Sequence, residues 1–214
     1  SLHNSEYISK LDIRLGDYVY VEKGGEIIPK ITGFDIQNRK LIDSNKFVFI
    51  THCPDCDSLL SKKIDEIQHY CLNEDCPTKI KGSIEHFISR RAMNIDGLGS
   101  ETIELLYQKG LLKKISDLYF LQKNKLIVLD RLGDKSVENI LLSIEKSKKT
   151  PFQKLLFALG IRFVGETVAK TLAYNFKNIN NLSKATFEEL VEIDEIGERI
   201  ADSVKNYFSK RNNL

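Results

Sequence analysis

The side chains with the clearest chemistry are four cysteines, all between positions 53 and 76 of a 214-residue chain. They form two knuckles, Cys53-x2-Cys56 and Cys71-x4-Cys76, with fourteen residues between them. This is the ligand spacing of a structural zinc ribbon, because a short step lets two thiolates of one turn face the same ion. Pro54 and Pro77, with Asp55, Asp57, Asn73, Glu74 and Asp75, suit tight turns. Four thiolates leave no open coordination position, so the ion expected is structural rather than catalytic. Two disulfides in a secreted domain are the alternative, but Ser1–Glu6 has neither the basic nor the apolar region of a signal peptide. A thioredoxin-like pair would need a βαβ surround, which is missing around Cys53 and Cys56. His52 and His69 neighbour the ligand cysteines and are expected behind the ligands or on the surface.

A second kind of chemistry lies in glycines that recur. Gly99, Gly133, Gly165 and Gly197 are 34, 32 and 32 residues apart. Each follows an apolar residue, has a small or apolar residue four places on, and opens a helical pattern. This is the form of a helix-hairpin-helix, in which a glycine permits positive φ and lets another backbone come close. The second helix then starts with its unpaired N–H groups outward, a phosphate-sized anion site. Such a contact reads backbone rather than bases, so the partner expected is duplex DNA of any sequence. The candidate contacts are Gly97, Gly99 and Ser100; Arg131, Gly133, Lys135 and Ser136; Arg162, Gly165 and Thr167; and Gly197 and Arg199. Only the first turn has both glycines of a Gly-x-Gly; Arg131, Phe163 and Glu195 replace the first glycine elsewhere. Glu195 and Glu198 place two negative charges at the fourth turn, which is expected to hold phosphate weakly. Glycines that merely break the helices of a bundle are the plainer alternative; four at a near-constant period favour the repeat.

The elements that must position these groups fall into three textures. Residues 1–50 read as β, from Tyr18-Val19-Tyr20-Val21, a Gly24-Gly25 hairpin turn, a strand over Glu26–Ile31 that Pro29 restricts to an edge or end, and a short strand Phe47–Ile50. Residues 51–82 are too few for a core and need a metal staple. Residues 83–214 read as helical, with Thr150-Pro151 as a helix start, Thr150 as N-cap and Pro151 at the first helical position. The fold class expected is multidomain and mainly α. Hydrophobic residues at 42% and charged residues at 29% exclude a disordered or collagen-like chain, and no apolar run approaches the roughly 18 residues of a membrane span. The net charge is only +2, with the slight excess in the C-terminal half, so nucleic-acid binding must rest on local geometry.

With these residues in view, the order of β segment, four-cysteine module and four helical hairpins resembles the C-terminal part of bacterial NAD-dependent DNA ligases. Leu2-His3-Asn4, Leu11–Asp17 and Lys23–Pro29 look like the family's oligonucleotide-binding (OB) domain. Cys53-Pro54-x-Cys56 with Cys71-x-Asn73-x-x-Cys76-Pro77 is similar to its zinc module, with Asp57 where glycine is usual. Phe157–Thr167 is the most specific stretch, with Phe163 where histidine is common. The resemblance implies part of an OB fold at 1–50, a four-cysteine zinc finger at 51–82 and a four-repeat helix-hairpin-helix domain at 83–214. It implies a parent enzyme that seals nicks between 5′-phosphate and 3′-hydroxyl in replication and repair, in the bacterial cytoplasm. NAD and Mg2+ (or Mn2+) would bind outside this segment. The adenylated lysine's Lys-x-Asp-Gly motif is absent here, and Asn94-Ile95-Asp96-Gly97 only echoes it. The segment is therefore expected to be inert alone and to hold nicked duplex as a monomer. A helix-hairpin-helix scaffold of another repair protein, or a zinc-stapled protein interaction module, are the competing readings.

Overall fold

The computed structural model describes residues 1–23, 28–39, 45–62, 67–130 and 132–210. It divides into two compact units, Ser1–Pro77 and Thr78–Leu214.

The first unit opens with a helix where β structure is expected, α1 (Ser5–Leu11). Its start is local chemistry: the Asn4 side chain accepts the Tyr7 N–H at 2.9 Å, and Glu6 sits in the positive first turn. Asp12, in the left-handed region at φ 47°, ends it. Strands β1 (Val19–Glu22) and β2 (Lys30–Phe34) pair antiparallel, Val19 opposite Phe34 and Glu22 opposite Lys30, with an irregularity between Tyr20 and Val21. Pro29 lies just before β2, where its missing N–H is harmless. The expected Gly24-Gly25 turn lies outside the described residues. The expected strand at Phe47–Ile50 does not form; only Lys46 bridges to Arg14. Apolar β-formers make a strand only where an edge is available for pairing.

This unit is braced by charge. Arg39 forks onto Asp17, Nε to Oδ1 at 2.9 Å and Nη2 to Oδ2 at 2.6 Å. Its Nη1 reaches Asp12 at 3.1 Å, and its guanidinium lies 3.7 Å over the Phe34 ring. The Arg39 and Asp17 side chains are only 4% and 1% exposed, so a bidentate pair is what makes their burial tolerable. The cysteine segment adds only the two-residue strands β3 (Leu60–Ser61) and β4 (Tyr70–Cys71), Leu60 opposite Cys71.

The second unit is helical, as its periodicity predicts. Its helices are α2 (Pro77–Ile88), α3 (Ser100–Gln108), α4 (Lys123–Leu126), α5 (Asp134–Ser147), α6 (Phe152–Ala158), α7 (Glu166–Phe176), α8 (Ile179–Lys184), α9 (Phe187–Val191) and α10 (Glu198–Ser209), with a 3-10 helix at Ile115–Phe120. Pro151, not Thr150, caps α6; the Thr150 N–H instead closes the preceding turn on the Ser147 carbonyl. Two apolar cores form. One gathers Ile84, Phe87, Leu98, Ile103, Leu106, Val137 and Ile140 from the first two hairpins. The other gathers Ile161, Val164, Ala169, Leu172, Ile196, Ala201 and Val204 from the last two. Four repeats thus work as two pairs, because one hairpin alone cannot bury its apolar face.

Candidate metal centre and nucleic-acid interface

The four cysteine sulfurs converge. Cys53 Sγ lies 3.9 Å from Cys76 Sγ, Cys56 Sγ lies 3.6 Å from Cys71 Sγ, and all four lie within 4.8 Å of one another. A tetrahedral ion with Zn–S bonds of about 2.3 Å has S···S edges of about 3.8 Å, while a disulfide needs about 2.05 Å. The donor set therefore fits zinc, and the cysteines are unbridged. Turns aim them. The Cys53 N–H donates to the Ser58 carbonyl at 2.8 Å and the Asp57 N–H to the Cys53 carbonyl at 2.9 Å. Asp57 has φ 55°, which aspartate tolerates and which explains how it takes a glycine's place. The Asn73 side chain accepts the Asp75 N–H at 2.9 Å and shapes the second knuckle.

Hydrogen bonding from the Ser58 side chain and backbone draws the Cys56 thiol down to about 6, toward the thiolate form that a zinc ligand takes. Burial pushes the Cys71 thiol up to about 12. A cation bound among the thiolates would offset that cost. Neither histidine joins the cluster: His52 Nδ1 is 2.9 Å from Thr51 Oγ1, and His69 stacks 4.5 Å from Phe49.

The four glycine turns share one geometry. Gly99, Gly133, Gly165 and Gly197 are each the residue capping the N-terminus of α3, α5, α7 and α10, at φ from −83° to −79° in extended backbone. Positive φ is thus not what these positions need. Each glycine carbonyl accepts the N–H four residues on, from Ile103, Val137, Ala169 and Ala201, at 2.8–3.1 Å. Those four residues are fully buried, and so nail each helix start to its core. No side chain caps any of the four, and a Cβ added to any of them would meet nothing within 4 Å. Each of these helix starts also carries an acid in its first turn, Glu101, Asp134, Glu166 and Glu198.

Positive φ falls two residues earlier. Gly97 has φ 89°, Phe163 φ 66° and Glu195 φ 69°; Arg131 lies outside the described residues. For a bulky residue this conformation costs of the order of 1–3 kcal/mol. Ser100, Lys135, Ser136, Arg162, Thr167 and Arg199 are all exposed in or beside the turns. Sequence reasoning missed the partners of the first-turn acids. Lys123 sits 3.7 Å from Asp134 and 2.6 Å from Glu138, and Arg91 sits 3.7 Å from Glu166. These cations offset the acids of the second and third hairpins. For Arg91, the adjacent Arg90-Arg91 pair just before the first turn was the available signal. Ser89 and Arg90, with Gly97, Gly99 and Ser100, line a shallow concavity of about 600 Å³ at the first hairpin, where Glu85 and Asp96 offset the charge of Arg90.

A structural four-cysteine centre followed by paired helical hairpins defines a zinc-stapled helix-hairpin-helix chain. Comparison with known proteins places it more closely. Residues 1–42 match the NAD-dependent DNA ligase OB-fold domain, 52–77 the NAD-dependent DNA ligase C4 zinc finger domain, and 154–214 the helix-hairpin-helix motif. A DNA ligase of Bacteroides fragilis is 57% identical over 214 residues, all of this chain and 32% of that protein. DNA ligases of Christiangramia forsetii and Bacillus pumilus are 56% and 49% identical over 98% of this chain, which is 32% and 31% of their lengths. The chain carries the domains of the NAD-dependent DNA ligase family and spans about a third of the length of the relatives it matches. Among the described residues, no helix is long and apolar enough to cross a membrane.

Proposed function

We propose that this chain is the DNA-gripping part of an NAD-dependent DNA ligase that seals nicks in duplex DNA. The observation that carries the reading is the fourfold repeat of an uncapped, glycine-led helix N-terminus with a buried residue four places on. Four such sites on one helical unit suit a regular phosphate lattice better than a single small anion. Gly97, Gly99 and Ser100, then Arg131, Gly133, Lys135 and Ser136, then Arg162, Gly165 and Thr167 are the contacts. Gly197 and Arg199 contribute least, because Glu195 and Glu198 crowd the fourth turn with negative charge. The parts are an OB segment at 1–50, a zinc finger at 51–82 held by Cys53, Cys56, Cys71 and Cys76, and the hairpin domain at 83–214.

Adenylation from NAD, with Mg2+ or Mn2+, is the work of the part of the relatives' length that this chain does not cover. These residues hold the nick, as a monomer, in the cytoplasm, without doing the chemistry. The test is a sealing assay on a labelled nicked duplex. The whole ligase should seal it with NAD and Mg2+, these 214 residues alone should not, and deleting the hairpin domain should raise KM for DNA far more than it lowers enzyme adenylation. Full sealing without the hairpin domain would overturn the reading.

A further inference from the structure

We propose that Phe163 is a duplex-contacting wedge: at the third hairpin its ring packs against the sugar and base edges beside the phosphate held at the start of α7. The inference rests on the DNA-binding reading above and deepens it. Three described hairpins put different side chains on one left-handed turn position, Gly97, Phe163 and Glu195. Glycine takes that conformation freely, whereas a phenylalanine there is an outlier. Packing does not explain it, since Phe163 is 48% exposed while its neighbours Ile161 and Val164 are buried. The two buried neighbours fix the turn, so the ring is held out at a defined place rather than left to sweep. The Arg162 guanidinium lies 4.9 Å over that ring. An aromatic face and a cation are thereby presented together, two residues from the uncapped Gly165. Phosphate recognises the cation and the amides, and an apolar ring beside them suits the groove floor between two backbones. The hairpins therefore differ at this position: the first packs its glycine on Ile140, the third adds an apolar contact, and the fourth carries an acid there.

The chain has no tryptophan, so Phe163→Trp makes a single-tryptophan reporter at the proposed contact. In the zinc-loaded chain, its emission should be quenched on adding a nicked duplex, in step with binding followed by anisotropy of a labelled DNA. Phe163→Gly should weaken duplex binding about tenfold while raising the melting temperature, because glycine relieves the left-handed turn. A ring with only a structural role would change melting without affinity. Binding by anisotropy with unchanged tryptophan emission, or unchanged affinity for Phe163→Gly, would overturn the wedge. Absence of any duplex binding by the unaltered chain would instead overturn the reading beneath it.

Discussion

Gly97 stands so close to Ile140 that a Cβ added to the glycine would lie 2.8 Å from Ile140 Cγ1. Ile140 is fully buried on α5, and Gly97 also has φ 89°. The first hairpin turn is therefore locked onto the helix of the second. Gly97→Ala should destabilise the helical unit by about 2–3 kcal/mol, through overpacking and left-handed strain together. Thermal or urea unfolding of Thr78–Leu214 within the whole chain checks this.

Gly165 is the opposite case. At φ −79° with nothing near its absent Cβ, it can take a side chain without a clash, at the cost only of a poorer helix cap. Gly165→Val should lower stability by about 1 kcal/mol, because valine is a poor N-cap, yet keep the fold, and by covering the start of α7 it should weaken duplex binding about tenfold. The same holds for Gly99→Val. Unaltered affinity with an unaltered fold would count against the amides as the phosphate site.

The Asp17–Arg39 pair gives a pH prediction with a definite sign. Hydrogen bonds from Arg39 hold the Asp17 carboxyl below the usual carboxylate range. A carboxyl with a lowered folded-state pKa contributes stability above its unfolded value of about 3.9, and that contribution is lost as pH falls through the folded-state pKa. The stability that Asp17 adds, read as the difference in melting between the unaltered chain and Asp17→Asn, should hold from about pH 7 down to about 4 and then vanish, and that difference separates it from proton competition for the zinc cysteines of the same unit. Asp17→Asn should melt lower at neutral pH and show a shallower acid drop, since it takes from Arg39 the buried one of its two carboxylate partners and leaves it the half-exposed Asp12.

Zinc removal should separate the two units. With two-residue strands and too few apolar residues for a core, the cysteine segment depends on its ion. A chelator should release one zinc per chain, and it or Cys76→Ser at the most buried of the four cysteines should abolish ordered signals from residues 51–62 and 67–77. Far-ultraviolet circular dichroism should lose little helicity, because most of the helices lie in Thr78–Leu214.

What can be read from the sequence follows from where the determining forces act. Cysteine spacing and the glycine period are local and repeated, so the metal cluster and all four turns are legible. The role of the glycines is less so. The sequence pattern suggests positive φ at the turn glycines, yet Gly99, Gly133, Gly165 and Gly197 are extended, and the left-handed turn belongs to Gly97, Phe163 and Glu195. The residue types phenylalanine and glutamate do not announce that conformation, and only their place opposite Gly97 in the repeat hints at it; at Phe163 the buried Ile161 and Val164 on either side impose it. Helix α1 is hidden because its seven residues are too short for a clear period, although Asn4 and Glu6 mark its start. Phe47–Ile50 misleads because β propensity is silent about whether a partner strand is available.

Whether this chain grips DNA by its backbone is decided most directly by a salt titration. Binding of the zinc-loaded chain to nicked duplexes of two unrelated sequences should be equal. Log affinity should fall linearly with log salt concentration, and Lys135→Ala should make that slope shallower by up to about 0.9. A strong preference for one sequence, an affinity indifferent to salt, or no duplex binding at low salt would contradict it.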